Sequence, residues 1–282
     1  MKKLKGYFFV GFLSVLGICI ALYCLKKSDI GNNNFYEHTL IQENGNISDG
    51  LSKIFEVLNI STKGKNLLEI YKIFYEKYGL KKNQERWQLE KKDEEKKLLL
   101  MPIFEKLGIV QEILPASKNY KTIIILGASV GRMRKRVAFL QNLWEHGIRA
   151  ERIVFFAGER LLVQDLEEEK NPLDESVSSV PFREGWTAPS VIPKSEAEVA
   201  PIIWDQIIVH KELREVPVLY ISAPYVKDSK TQEMRRPNTG DLVRAWLTTH
   251  PPSPGKYMAI SNNPYVYYQD QSIRNQPAIA SR

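Results

Sequence analysis

Four short runs rich in β-branched and aromatic residues follow one another in the second half of the chain, and amphipathic segments separate them. Parallel strands need long crossover connections, and a helix between successive strands supplies one. The alternation therefore predicts an α/β domain, a Rossmann-like parallel sheet with helices on both faces. The predicted strands are TIIIL (122–126), RIVFF (152–156), PVLYIS (217–222) and YMAIS (257–261), and the predicted helices span 132–146, 195–210 and 239–249.

Two other regions have patterns of their own. Residues 51–110 repeat apolar side chains at helical spacing, which predicts a helical accessory region. Residues 161–193 have no such period and predict a long loop, which in a compact domain is usually functional or disordered. The predicted parts of the chain are a transmembrane signal anchor (1–27), a flexible spacer rich in Asn, Gly and Ser (28–50), the helical accessory region (51–118) and the α/β domain (119–282).

An uncharged stretch of 19 residues, 7–25, lies between two groups of lysines near the amino terminus. As a helix it would span roughly 28 Å, close to the roughly 30 Å of bilayer hydrocarbon. An uncleaved anchor is the favoured interpretation, and a cleaved signal peptide or a buried soluble helix are the alternatives. Three lysines precede the stretch and two follow it. This asymmetry predicts a single-pass protein of the cell (inner) membrane with its soluble domain outside the cytoplasm.

Charge and cysteine content exclude several partners for the soluble part. The chain has a formal charge of +7, but five lysines flank the apolar stretch, which leaves +2 for residues 28–282. A nearly neutral domain predicts no nucleic-acid partner. Both cysteines, Cys19 and Cys24, lie inside the apolar stretch, and the four histidines are scattered. We therefore expect no disulfide in the soluble part and no metal site.

The residues that follow each predicted strand are the candidates for a binding site, because ligands of open parallel sheets bind beyond the carboxyl ends of the strands. The turn at Gly127 could equally be a plain strand-to-helix connection, and Asn238 could simply cap a helix. Glu196 suits either a helix dipole or a general base. The ligand-binding candidates are Gly127, Ala128, Ser129, Arg136, Gly158, Glu159, Arg160, Asn238, Thr239, Ser261 and Asn262, with Glu196 as the catalytic candidate.

The order of several short motifs resembles the DUF218 family, which includes YdcF-like proteins and the envelope proteins SanA and ElyC. The similarity covers about residues 120–275, and each motif is short, so its specificity lies in the order. The matching stretches are IILGAS (124–129), Arg136 eleven residues before Gly147, FAGER (156–160), SEAEV (195–199), PNT (237–239) and AISNNPY (259–265).

This resemblance implies a Rossmann-like fold and, as in some members, an amino-terminal anchor with the domain in the periplasm and a role in envelope or peptidoglycan-related processes. One cytosolic member implies S-adenosylmethionine as a cofactor. The chain departs from the family pattern at Leu242, Tyr265 and Gln269, where the family has Asn, His and Arg. A further strand and helix are expected after Gln276. The site is therefore altered or the chain is truncated.

These observations predict a membrane-anchored envelope protein that binds a polar or anionic small molecule. Arg136 and Arg160 would hold the ligand's charge, and Glu196 would act as base. The first alternative is a non-catalytic membrane scaffold whose helical region 51–110 recruits a partner. The second is an S-adenosylmethionine-dependent enzyme that faces the cytosol.

Overall fold

The computed structural model describes residues 46–79, 94–107, 109–228, 232–263 and 265–274. The apolar stretch 7–25 lies outside these residues, so the membrane anchor stays a prediction. Among the helices that are described, none is long and apolar enough to cross a membrane. The chain forms two compact units, one that runs to Ile113 and includes Asn263–Tyr268, and one that comprises Leu114–Asn262 and the residues from Gln269 onward.

The described residues of the first unit up to Ile113 form the helices α1 (Asp49–Val57), α2 (Leu67–Tyr78) and α3 (Glu94–Lys106). Ser48 caps α1 by accepting a hydrogen bond of 3.1 Å from the backbone N–H of Leu51. The helices meet around one apolar core, because their apolar residues recur at helical spacing. The buried members of this core are Leu51, Ile54, Phe55, Leu58, Ile60, Ile70, Phe74, Leu100, Phe104 and Ile109.

A four-stranded parallel sheet forms the centre of the second unit, and helices flank it, which confirms the predicted α/β class. Its order is β5-β4-β2-β8, with β1 paired to β3 and β6 paired to β7 outside it. The strands are β1 (Asn119–Tyr120), β2 (Thr122–Leu126), β3 (Arg149–Ala150), β4 (Ile153–Phe156), β5 (Val218–Ile221), β6 (Val226–Lys227), β7 (Met234–Arg235) and β8 (Tyr257–Ile260). The helices are α4 (Val130–Glu145), α5 (Glu167–Lys170), α6 (Glu196–Gln206), α7 (Lys211–Arg214), α8 (Thr239–Thr249) and α9 (Val266–Arg274).

Strand β2 is buried along its whole length because both faces of the sheet are covered. Ile123 and Ile125 join an apolar cluster with residues of α4 and α6. Ile124 and Leu126 join a second cluster with residues of α8. Alternate residues of a strand point to opposite faces, so helices lie on both sides of β2. An unbroken apolar run such as TIIIL is the pattern that such a strand requires.

The segment 161–193, predicted as a loop, is ordered around short helical turns and is tied to the sheet domain. It contains α5 and a 3-10 turn, Glu175–Val177. Isolated bridges join Leu161 to Ser195 and Phe182 to Ile207. Its strongest attachment is the fully buried Arg134, whose Nη2 donates to Pro172 O over 2.5 Å and whose Nη1 lies 2.9 Å from Glu168 Oε2. The loop therefore belongs to the packed structure of the domain.

Candidate functional site

The strand order reverses between β2 and β8. From β2 the chain moves outward through β4 to β5, and it then returns to the other side of β2 as β8. In open parallel sheets the crevice for a ligand lies at such a reversal, outside the carboxyl ends of the strands. The turn 127–129 follows β2 there, and Ser261 and Asn262 follow β8. The candidate site is therefore the carboxyl edge of the sheet around the turn 127–129.

Arg136 joins the carboxyl ends of β2 and β8. Its side chain is buried, its Nη1 donates to the carbonyls of Leu126 and, over 3.1 Å, of Gly127, and its Nε donates to Asn262 Oδ1 over 2.6 Å. Arg136 thus donates to acceptors of its own chain, although the sequence predicted that it would bind the charge of a ligand. Among the described residues, Asn262 Nδ2 makes no hydrogen bond. This amide group can therefore donate to a ligand at the point where the strand order reverses.

A buried charge network lies at the carboxyl end of β4. Arg160 lies 2.6 Å from Glu169 Oε1 and 2.5 Å from Glu196 Oε1, and neither carboxylate side chain is more than 11% exposed. Burial alone lowers the pKa of Arg160, but the two carboxylates more than offset that effect and raise it. The guanidinium that was predicted to hold a ligand's charge is therefore already paired with two buried carboxylates.

Glu196 lies in the first turn of α6 and turns one carboxylate oxygen toward β2. Its backbone N–H donates to Arg160 O over 2.9 Å, which holds the start of α6 against the end of β4. A Cβ on Gly127 would lie 3.1 Å from Glu196 Oε2 and 2.5 Å from Phe156 O. Oε2 makes no hydrogen bond within the part of the chain that the structure describes. Burial raises the pKa of Glu196, and Arg160 opposes that rise only in part.

Helix α4 begins directly after the turn 127–129. Ser129 is its N-cap, but the Ser129 hydroxyl makes no capping hydrogen bond. A Cβ on Gly131 would lie 2.2 Å from Glu168 Oε1, so a carboxylate of the loop 161–193 packs against the first turn of the helix. This negative charge suits the helix dipole. It also disfavours a ligand phosphate at the same helix end.

The segment 237–239 packs beside the end of β4. A Cβ on Gly158 would meet Pro237 Cγ at 2.6 Å, so a side chain there would displace the proline ring. Asn238 caps α8 by accepting from Asp241 N over 3.0 Å, which is the structural alternative that its sequence position left open. Thr239 is the first residue of α8 and is half-buried, and Glu159 is exposed after β4.

The family positions that differ in this chain have structural roles in it. Leu242 is buried in the apolar cluster on the α8 face of the sheet. Tyr265 is buried in the first unit. Gln269 Oε1 accepts a hydrogen bond from the Ser261 hydroxyl, so the Ser261 side chain is engaged within the domain. The structure thus brings Gly127, Arg136, Gly158, Arg160, Glu196 and Asn262 together at one edge.

The sequence did not single out Glu168 or Glu169. They lie in a run of three glutamates within a segment that has no periodicity, and nothing in such a run indicates which carboxylate is buried. The sequence therefore did not indicate that Glu169 would pair with Arg160. Within the described ranges, no group of three or more His, Cys, Asp or Glu side chains is placed to hold a metal ion.

A scan against models of known protein families, a search of curated proteins and a search of solved structures found no match to this chain. The resemblance to the DUF218 family therefore rests on the order of its short motifs alone.

We expect Glu196→Gln to change how stability depends on pH. The pKa of Glu196 is raised on folding, so its favourable contribution is complete below its unfolded value of about 4.3 and is lost as pH rises through the folded value. Glutamine resembles the protonated acid and keeps an Oε1 acceptor for Arg160. The free energy of unfolding of the variant relative to the wild type should rise between pH 4 and pH 8, as measured by urea titration.

Asp241→Asn is the contrasting variant, because its free energy of unfolding relative to the wild type should fall as pH rises. Burial raises the pKa of Asp241, but Arg235, the Asn238 N–H and Arg244 more than offset this, so its pKa is below the ordinary value. Its contribution is present above an unfolded pKa of about 3.9 and is lost as pH falls through the folded value. If the free energy of unfolding relative to the wild type changes in the same direction with pH in both variants, the assignment for Glu196 is contradicted.

Proposed function

We propose that this chain is a membrane-anchored protein of the cell envelope, a divergent DUF218-like protein that binds a polar or anionic small molecule. The binding site is the carboxyl edge of a Rossmann-like sheet. The strand order supports this, because β5-β4-β2-β8 has the 3-2-1-4 arrangement of doubly wound nucleotide-binding folds, in which ligands bind at the reversal. The anchor rests on the apolar stretch 7–25, and its flanking lysines favour a domain outside the cytoplasm.

One observation carries the proposal. Glu196 is buried at this edge, one of its oxygens is held by Arg160, and within the described residues the other makes no hydrogen bond beside the turn 127–129. This carboxylate oxygen is therefore available as an acceptor, and a ligand hydroxyl or amine at the turn 127–129 can donate to it. The raised pKa of Glu196 also suits it to accept or return a proton.

The neighbouring groups can orient such a ligand. The Ser129 hydroxyl and Asn262 Nδ2 supply directional hydrogen bonds. Arg136 and Arg160 act as positioning residues, because one holds Asn262 and the other holds Glu196. The resemblance to the DUF218 family puts S-adenosylmethionine among the candidate ligands, and the exposed Glu159 at the end of β4 can accept hydrogen bonds from a ribose.

A thermal-shift screen of the full-length chain tests this site. The compounds are S-adenosylmethionine, nucleotides, nucleotide sugars, polyprenyl phosphates and muropeptides. A ligand that binds the folded protein raises Tm. Ser129→Ala should reduce the shift, because it removes a hydroxyl that caps no helix, whereas Ser253→Ala, which changes an exposed serine before β8, should leave it intact. Equal shifts in both variants would place the ligand elsewhere, and no shift with any compound would refute the proposal.

A non-catalytic scaffold is the second candidate, and an exposed apolar surface on the first unit favours it. Leu68 and Tyr75 on α2 and Leu98 and Leu99 on α3 are 48–73% exposed. Where such side chains form one contiguous patch, they mark a partner-binding surface. Deletion of residues 51–110 distinguishes the two functions, because only a scaffold loses its envelope function while ligand binding at the sheet edge persists.

A further inference from the structure

A pocket of about 480 Å³ opens at the carboxyl end of β5, separate from the turn 127–129. Its volume lies within the range of small-molecule sites in proteins. The segment after β5 and the strand β6 supply apolar contacts through Pro224 and Val226. Strand β5 is the edge strand, two positions from β2 in the sheet. At about 4.8 Å per strand this places the pocket roughly 10 Å from the β2 turn.

Two arginines line this pocket and share one buried carboxylate. Asp241 accepts from Arg235 Nη1 over 2.6 Å, from Arg235 Nη2 over 3.1 Å and from Arg244 Nη2 over 2.5 Å. It also accepts from the backbone N–H of Asn238 over 2.8 Å. These four hydrogen bonds fill the acceptor sites of the carboxylate. Asp241 therefore fixes both guanidinium groups at the pocket wall.

The charges of the pocket do not balance. Among the described residues that line it, Lys227, Arg235 and Arg244 are basic, and Asp228 and Asp241 are acidic. Asp241 has a side chain that is 6% exposed, while that of Arg235 is 35% exposed and that of Arg244 57% exposed. The Asp241 carboxylate is thus buried, whereas both guanidinium groups are partly exposed at the pocket wall. An anion in the pocket would be attracted by these partly exposed guanidinium groups.

We infer that this pocket binds the anionic group of a small molecule, a phosphate or a carboxylate. Guanidinium groups bind both through paired N–H donors in one plane, and fixed guanidinium groups lose little entropy on binding. Lys227 adds a third positive charge, and Pro224 and Val226 contact the uncharged body of the ligand. This inference concerns a site apart from the Glu196 edge, and it holds whether or not a ligand binds at that edge.

Calorimetric titration of the full-length chain with inorganic phosphate, and separately with acetate, tests this inference at low ionic strength. We expect saturable binding of at least one anion, and the anion that binds more tightly identifies the class of ligand. Arg244→Gln should weaken the binding about tenfold or more, because it removes a charge-assisted donor. Lys227→Gln should weaken it as well, and because Lys227 lies on the short strand β6 and not on helix α8, it tests the pocket independently if Arg244→Gln impairs folding.

Arg274→Gln is the matched control. Arg274 is 56% exposed and pairs with Asp270, so this variant removes the same charge from an equally exposed, aspartate-paired arginine outside the pocket. Binding should then stay within about twofold of the wild type. The inference is overturned if neither anion binds the wild type saturably, or if Arg274→Gln weakens binding as much as Arg244→Gln does.

Discussion

Replacing Arg160 by methionine should lower the free energy of unfolding at pH 7 by about 3–5 kcal/mol, since loss of one partner from a buried ion network leaves uncompensated charge. Methionine is chosen because it keeps an unbranched, flexible side chain in the space that Arg160 fills. Arg160 is 12% exposed in its side chain, and its two partners, Glu169 and Glu196, are 0% and 11% exposed. All three side chains are therefore held at low exposure within the domain. Urea titration followed by tryptophan fluorescence measures the loss.

The double variant Arg160→Met, Glu196→Gln should recover part of this loss, because it removes one of the two carboxylates that lack a partner. Arg183→Met is the control, since Arg183 pairs with Asp205 at a surface where the two side chains are 39% and 55% exposed. Surface pairs of this kind contribute less than about 1 kcal/mol. If Arg160→Met costs no more than Arg183→Met, the carboxylates of this network are solvated or protonated, and the proposed role of Glu196 fails with it.

The sheet could be predicted from the sequence because its signal is local. A fully buried parallel strand needs an unbroken apolar run, and TIIIL and RIVFF contain the β-branched and aromatic residues that form one. The strand order was not accessible in the same way. The connections between the strands are long enough to permit several orders, so the return of β8 to the far side of β2 depends on how the helices pack.

The sequence indicated where the candidate site lies on the sheet, but not which of its side chains pair with one another. Arg136 and Arg160 follow strands whose ends form the site, as the sequence indicated. Their partners are distant in the chain, since Asn262 is 126 residues from Arg136 and Glu196 is 36 residues from Arg160. No local pattern reports such pairs. An arginine near a strand end therefore looks the same whether it binds a ligand or the protein itself.

The burial of side chains on helix α4 was likewise not predictable from the local sequence. Three basic residues, Arg134, Lys135 and Arg136, follow one another in it, and nothing in that run indicates which side chains are buried. The structure buries Arg134 and Arg136 and exposes Lys135. Arg134 is buried because the loop 161–193 brings Glu168 and Pro172 O to it. That loop is attached through residues outside it. Its own sequence, which lacks periodicity, therefore indicates a loop but not where the loop is held.

Replacing Arg134 by methionine should therefore release the loop 161–193 as well as destabilise the domain. Arg134 is fully buried, and besides Pro172 and Glu168 its guanidinium contacts Gln206 Oε1 at 3.1 Å and lies 4.9 Å from the centre of the Phe182 ring. Burial lowers the pKa of Arg134 and Glu168 only partly restores it, so the charged group is held at a cost that its hydrogen bonds offset. We expect a loss of about 3 kcal/mol in the free energy of unfolding.

Limited trypsin digestion with mass spectrometry distinguishes release of the loop from general unfolding. In the wild type we expect Lys170 and Arg183 within the loop to be cut slowly, because the loop backbone is held by Arg134 and by isolated bridges at Leu161 and Phe182. In Arg134→Met both sites should be cut first, before sites in the sheet, because the loop opens at a lower free energy than the domain unfolds. Lys135→Met is the matched control, since it removes the neighbouring trypsin site from an exposed position on the same helix. Cleavage at Lys170 and Arg183 that is equally fast in the two variants would mean that Arg134 does not hold the loop.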